Sequence, residues 1–215
     1  MKSFLIIGMG SFGHHLCRSL SKLKCEIMVV DREESAVEDV LPLVVSAKIG
    51  DCTNPEVLRS FSVKSFDTCF VCMGTNFQNS LQITSLLQEM GAKRVLSKAD
   101  EDIHAKFLLR NGADAIIYPE KDIAERIAIE ESSDNIFDCM ELGDGYFIME
   151  INPRKEWLGK TIREMDFRSR YRLNIMGIKQ DGLLKLMPDL NYAFREGEHL
   201  MVMGTEEDIL KVAKE

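Results

Sequence analysis

The sequence predicts an α/β fold, a Rossmann-like doubly wound parallel sheet followed by a small α+β module of βαβββα order. Three observations carry this. Gly8-Met9-Gly10-Ser11-Phe12-Gly13 follows directly on the apolar run Phe4-Leu5-Ile6-Ile7. Short apolar runs and amphipathic stretches then alternate as far as Tyr118, the signature of strands joined by crossover helices. Beyond about Cys139 the chain turns strand-rich, and Asp144-Gly145 and Asp181-Gly182 supply hairpin turns.

Phe4 to Ile7 reads as a buried parallel strand. Gly8 permits the tight turn that follows, Gly10 lets the backbone approach a phosphate, and Gly13 lets the next helix pack closely on the sheet. That helix carries Leu16, Leu20 and Leu23 on one stripe, so its N-terminal N–H groups point into the crevice above the strand. The second strand, Glu26 to Val30, closes on Asp31, at the spacing expected of a carboxylate that accepts both ribose hydroxyls and repels a 2′-phosphate. The glycine motif alone is common; strand, glycines, helix, strand and acid in register predict nucleotide binding at Gly8 to Gly13 and at Asp31 with the adjoining Arg32.

The remaining strands are expected at 43–49, 67–73, 94–97 and 115–118, with helices from Asn54, through Leu81 to Met90, and from Asp102. A helix through Ile123, Ile127 and Ile129 leads to the polar stretch Glu130 to Asn135, which reads as a hinge. The second module takes strands at 146–151, 173–179, 183–187 and 199–203 and a last helix from Thr205. The expected domains are 1–118 for nucleotide binding, 119–138 for crossover helix and hinge, and 139–215 for a ligand-binding and dimerisation module. About 75 residues bury little core alone, so this module is expected to dimerise or to pack on a partner.

Composition narrows the function classes. The 215 residues are 45% hydrophobic, enough for ordinary cores, and no apolar run reaches membrane-span length. Gly8 to Gly13 interrupt the short N-terminal apolar run before it resembles a leader, so a cytoplasmic chain without membrane insertion is expected. The net charge of −8 argues against nucleic acid as a partner. Cys69-Phe70-Val71-Cys72 has CxxC spacing, but residues three apart on a strand face opposite sides, so buried thiols rather than a metal or redox site are expected. His14 and His15 diverge by about 100° on a helix and cannot chelate together; both read as surface or interface imidazoles.

The chain resembles the regulator-of-conductance-of-potassium (RCK) proteins, and among them the KtrA/TrkA family of cytosolic gating subunits. The resemblance spans the chain. It rests on Ile6 to Gly13, on Gly50-Asp51-Cys52-Thr53, on Lys98-Ala99, on Asn111-Gly112-Ala113-Asp114, and on Tyr118-Pro119-Glu120-Lys121-Asp122. It implies an N-terminal domain that binds ATP, ADP or NAD(H). It also implies dimers assembled into an octameric ring beneath a KtrB/TrkH-like membrane potassium translocating subunit, gated by nucleotide exchange. The site residues it adds are Asp51, Cys52 and Thr53 beside the adenine, Met73, Gly74 and Thr75 after strand four, and Lys98 toward a phosphate. Gly74 is expected to leave room for a close ligand. Glu120 is implied as a ligand of Mg²⁺ or Na⁺ near the phosphates, although an acid in a first helical turn is also stabilised by the helix dipole alone. In the C-terminal module, Ile162, Asp166, Arg168, Ile175 and Pro188 are implied as a dimeric pocket for cyclic di-AMP or another small ligand. Ser11 departs from the arginine common in KtrA-like chains, and Arg163 departs from an apolar position.

The expected function is therefore a non-enzymatic regulatory subunit that couples nucleotide binding to potassium flux. An NAD-dependent dehydrogenase is the alternative, and it needs an acid or base facing the nicotinamide. His104 is the one histidine in the relevant half of the sheet and reads as an exposed helix residue. A soluble NADH sensor is a third reading, without the basic DNA-reading module such repressors carry.

Overall fold

The computed structural model describes residues 1–74 and 76–214. Thr75, one of the expected nucleotide-site residues, lies outside the described residues. The chain divides into two compact units, Met1–Lys121 and Asp122–Glu215.

The first unit opens with β1 (Lys2–Ile7), α1 (Ser11–Ser21), β2 (Cys25–Asp31), the short α2 (Ser35–Glu38) and β3 (Ser46–Ile49). α3 (Pro55–Arg59), β4 (Thr68–Val71), α4 (Phe77–Glu89), β5 (Val95–Lys98), α5 (Asp102–Arg110) and β6 (Ala115–Ile117) complete the alternation. The six strands are all parallel, in the order β3-β2-β1-β4-β5-β6. This is the expected doubly wound sheet, with its order reversing at β1 and β4. Ligands of such sheets bind outside the carboxyl ends of the strands at that reversal.

Both faces of the sheet are covered, as parallel strands require. Leu5, Ile7, Cys69 and Val71 pack on one side with Leu58, Ile83 and Leu87. Ile6, Ile27, Val29, Phe70 and Cys72 pack on the other with Cys17, Val37 and Val40. Cys69 and Cys72 thus belong to opposite layers, and all six cysteines are free thiols.

Local chemistry trims the expected elements. Pro42 sits in a 3₁₀ turn, Leu41–Leu43, so β3 begins at Ser46 rather than at Leu43. Asn54 caps α3 by accepting from the Glu56 N–H, and Asn76 caps α4 by accepting from Asn79. α1 stops at Ser21, so Leu23 falls past its end and is 64% exposed while Leu16 and Leu20 pack on the core.

In the second unit, α6 (Pro119–Glu130) leads to β7 (Ile136–Gly143), β8 (Tyr146–Ile151), α7 (Ile162–Met165), α8 (Phe167–Tyr171), β9 (Asn174–Gln180), β10 (Leu183–Leu186), β11 (His199–Thr205) and α9 (Glu206–Ala213). Its sheet is antiparallel, ordered β10-β9-β11-β8-β7. Five strands stand where the sequence suggests four. β7 begins immediately after the expected hinge, and its exposed Phe137, Met140 and Leu142 hide the strand alternation. The unit boundary falls inside α6, after Lys121, and Ile129 packs on the second core rather than belonging to a linker. Both Asp-Gly hairpin turns form with two left-handed residues, Asp144 (φ 53°) with Gly145 (φ 75°) and Asp181 (φ 50°) with Gly182 (φ 78°). The core centres on fully buried Trp157, ringed by Phe167, Tyr171 and Phe194, with its indole N–H donating to the Tyr171 hydroxyl at 3.1 Å. Among the described residues no helix is long and apolar enough to cross a membrane.

Candidate nucleotide-binding cavity

At the carboxyl edge of the parallel sheet lies a cavity of about 530 Å³. Its floor is built by the turn from β1 to α1. Gly8 adopts φ 94°, open to glycine but strained for other residues, and its N–H donates to the Val30 carbonyl at 2.9 Å. A Cβ on Gly13 would stand 2.2 Å from the Gly8 carbonyl oxygen, so glycine at this position is what lets α1 lie against the turn. A Cβ on Gly10 would meet nothing within 4 Å, because Gly10 faces open space.

α1 starts without a side-chain cap and without an acidic residue in its first turn. Its first N–H groups and positive dipole end therefore have no competing anion from the helix itself. Such a terminus in a concave, glycine-floored site fits a phosphate group.

Asp31 stands opposite. One carboxylate oxygen accepts from the Met9 N–H at 2.6 Å and the other from the Glu33 N–H at 3.0 Å, which fixes its orientation. Asp51, after β3, accepts from both the N–H (2.9 Å) and the hydroxyl (2.7 Å) of Thr53. These bonds, with the Arg32 charge, hold its carboxyl below the ordinary carboxylate range against the opposing effect of burial. The Arg32 guanidinium lies 3.9 Å from Asp51. Burial, with the Asp51 and Asp31 charges, pushes the Cys52 thiol up to about 12, so it lines the cavity as a neutral apolar group.

Lys98 ends β5 with its ammonium 2.7 Å from Asp100 and 2.8 Å from Glu120. Burial works against its charge, but the two carboxylates outweigh it and its pKa rises. Gly74 borders the cavity, yet the room beside it is not open to a ligand. A Cβ there would stand 2.2 Å from an Asp100 carboxylate oxygen, so the glycine admits Asp100, which in turn holds Lys98.

Gly8, Gly10, Ser11, Phe12, Asp31, Arg32, Asp51, Cys52, Met73, Gly74, Lys98 and Glu120 are brought together around this space. Met9, Gly13 and Thr53 are not on its wall. Met9 is buried in the core and contributes its N–H to Asp31, Gly13 seats the helix, and Thr53 orients Asp51. Glu120 is the ion-pair partner of Lys98, and among the described residues no cluster of three or more His, Cys, Asp or Glu side chains is placed to hold a metal. His15, expected only as a surface or interface imidazole, and Pro119, expected only as the start of a helix, also line the cavity. The available signal for His15 was its spacing of four from Ser11, which puts both on one helix face.

Residues 4–119 match the family model of the TrkA-N domain, and residues 146–215 match that of the TrkA-C domain. The chain belongs to the TrkA family. Residues 120–145, which hold nearly all of α6 and the whole of β7, lie outside both TrkA models. TrkA-family relatives match end to end. The Ktr system potassium uptake protein C of Bacillus subtilis is 34% identical over 99% of this chain and 96% of its own. The Ktr system potassium uptake protein A of the same organism is 33% identical over all of this chain and 96% of its own. Among solved structures, the GsuK channel aligns over the whole of this chain and 40% of its own longer chain, with a TM-score of 0.71 at 19% identity. The same channel bound to NAD aligns with a TM-score of 0.70. At that identity the likeness is one of fold.

In the TrkA-C part a second cavity, of about 430 Å³, collects Ile162, Asp166, Arg168, Ile175 and Pro188, the five residues expected to line a pocket there. Asp166 takes the left-handed conformation (φ 44°) between α7 and α8, and Thr161 with Glu164 forms a capping box at the start of α7. Arg168 donates from Nε to Asn174 at 2.6 Å, and Arg163 joins the wall.

His104 is not the exposed helix residue expected. It is buried at 2% exposure, its Nε2 lies 2.6 Å from the Ser80 hydroxyl, and its ring lies on Phe77 at 4.7 Å. Burial lowers its pKa, and it does not line the nucleotide cavity.

Proposed function

We propose that this protein is the cytosolic, nucleotide-binding regulatory subunit of a bacterial potassium uptake system. Its end-to-end likeness to the two Bacillus subtilis Ktr proteins supports the potassium role. The observation that carries the nucleotide reading is the cavity at the sheet reversal, with an uncapped α1 terminus over Gly10 and Asp31 fixed by two amides.

In this reading ATP, ADP or NAD(H) lays its phosphates on the α1 terminus and its ribose against Asp31. Glu120 adds a carboxylate for Mg²⁺ or Na⁺ beside the phosphates. The chain assembles as a homo-oligomer, an octameric ring of dimers, on a KtrB/TrkH-like membrane subunit. A nucleotide that binds one ring shape more tightly shifts the population toward it and so changes potassium flux. The second cavity takes cyclic di-AMP, with Arg168 near its phosphates and Ile162 and Ile175 beside its bases.

The test is the thermal transition of the purified full chain with ATP, ADP, NADH, NADPH or cyclic di-AMP, each with and without Mg²⁺. A ligand at a hundred times its Kd stabilises the folded state by about 2.7 kcal/mol. ATP, ADP or NADH is expected to raise the transition and NADPH to fail. No shift with any nucleotide would overturn this reading of the first cavity.

A further inference from the structure

The wall of the first cavity carries three basic side chains, His15, Arg32 and Lys98, and they differ in what already holds them. Lys98 is held by two carboxylates, and Arg32 faces Asp51. His15 has neither a hydrogen-bond nor an ion-pair partner among the described residues. It stands one helical turn beyond Ser11 on the same face of α1, and both line the cavity. Its neighbour His14 is engaged elsewhere, with one ring nitrogen 3.0 Å from the Gly10 carbonyl and the other 3.1 Å from Asp39.

A phosphate drawn to the amides of the first turn of α1 meets the uncharged Ser11 hydroxyl there. The next basic group along that face, and the one with no bond to break first, is His15. A dinucleotide such as NADH has only an internal pyrophosphate, esterified at both ends, which the amide cradle already accommodates. A nucleoside diphosphate fills the same two positions but ends in an unesterified phosphate richer in acceptor oxygens, and a triphosphate carries such a phosphate one position further. A ring N–H of His15 donating to such an oxygen makes a hydrogen bond to a charged acceptor.

Resting on the reading of this cavity as a nucleotide site, we propose that His15 is its specificity-determining residue, favouring ligands that end in a free phosphate over dinucleotides. It acts by direct contact with the terminal phosphate. The experiment is isothermal titration calorimetry on the full chain with ATP, ADP and NADH, for wild type, His15→Gln and His15→Arg. His15 is exposed, so both variants are expected to keep the wild-type melting profile.

His15→Gln is expected to weaken ATP and ADP about tenfold, the loss of one charged hydrogen bond. His15→Arg is expected to restore them, and NADH to stay within about twofold throughout. Unchanged ATP and ADP affinity in His15→Gln, or an equal loss for NADH, overturns the role of His15 while leaving the nucleotide site intact. Failure of the wild type to bind any of the three overturns the nucleotide reading itself, and the role of His15 with it.

Discussion

Replacing Asp31 by alanine tests the ribose end of the cavity. A carboxylate offers about four lone-pair positions. The Met9 and Glu33 amides occupy one on each oxygen. One acceptor position per oxygen is left, the number required to accept both hydroxyls of a ribose. Each hydrogen bond to a charged group contributes about 1.5–3 kcal/mol, so two amount to roughly 3–6 kcal/mol before water is counted. Water entering the space vacated by the side chain returns part of this to the hydroxyls. A net loss of about 3 kcal/mol, or roughly a hundredfold in Kd, is expected for ATP and NADH alike, since both present a free ribose. Removing Asp31 also leaves the Met9 N–H without its acceptor, which costs about 1–3 kcal/mol of stability. Titration calorimetry therefore belongs well below the variant's own melting temperature, with circular dichroism confirming the fold. Asp31→Asn keeps one acceptor oxygen and should fall between wild type and alanine. A folded Asp31→Ala protein that binds both ligands within about threefold of wild type would refute the assignment.

Gly13→Ala places a methyl 2.2 Å from the Gly8 carbonyl and should destabilise the chain by about 1–3 kcal/mol in urea unfolding, whereas Gly10→Ala, facing open space, should cost far less stability and weaken nucleotide binding. Burial pushes the Glu150 carboxyl up, but hydrogen bonds from Lys179 (2.7 Å) and His199 (2.5 Å) outweigh it and hold its pKa below the ordinary value. Its stabilisation is thus present above the unfolded glutamate value of about 4.3 and lost as pH falls through the lower folded value; urea unfolding from pH 7 to pH 3 should show this slope, flattened in Glu150→Gln. Burial pushes the Cys52, Cys69 and Cys72 thiols up to about 12, so iodoacetamide at pH 8 should leave all three unmodified by mass spectrometry until urea is added. Glu120→Gln releases Lys98 from one of two carboxylates and should tighten ADP severalfold in EDTA by calorimetry, while loss of affinity in Mg²⁺ would mark Glu120 as a cation ligand.

The parts of the fold legible in the sequence are those where backbone constraint and burial coincide. Gly8, Gly13 and Asp31 each solve a problem set by neighbouring main chain, a positive φ, a helix seated on a turn, and a free amide. Such problems leave a residue type at a fixed spacing, so they can be read without coordinates. Gly74 shows the limit of that logic. Its smallness was legible, but the group that uses the space is Asp100, and the contact of glycine with carboxylate is set by how β4 and β5 pair rather than by any spacing. His104 failed for a related reason. A polar residue on a helix reads as exposed unless its partner is known, and Ser80 lies 24 positions away on α4. β7 was hidden because only Ile136 and Cys139 reach the core, so its apolar residues Phe137, Met140 and Leu142 follow no strand period.

The cavity itself separates fixed groups from exchangeable ones. The glycine turn and Asp31 are satisfied by main chain without any ligand, so under the proposed function they would receive a nucleotide without rearranging. The charged groups that would meet its phosphates are different: Lys98 is shared by Asp100 and Glu120, and Arg32 faces Asp51. A phosphate binding there exchanges one anionic partner for another, and the free energy gained is a difference between two ion pairs rather than the whole of either. Asp51 and Glu120 are largely exposed, where single pairs are worth about 0–1 kcal/mol, so exchanging either one moves affinity by less than about tenfold. Discrimination between ligands that share a ribose and a first phosphate then falls to groups with no partner to surrender, the α1 amides and His15. A site of this kind holds its ligands loosely enough to exchange them as their concentrations change, which is the property a regulatory subunit requires and one that a tightly charged phosphate clamp would remove.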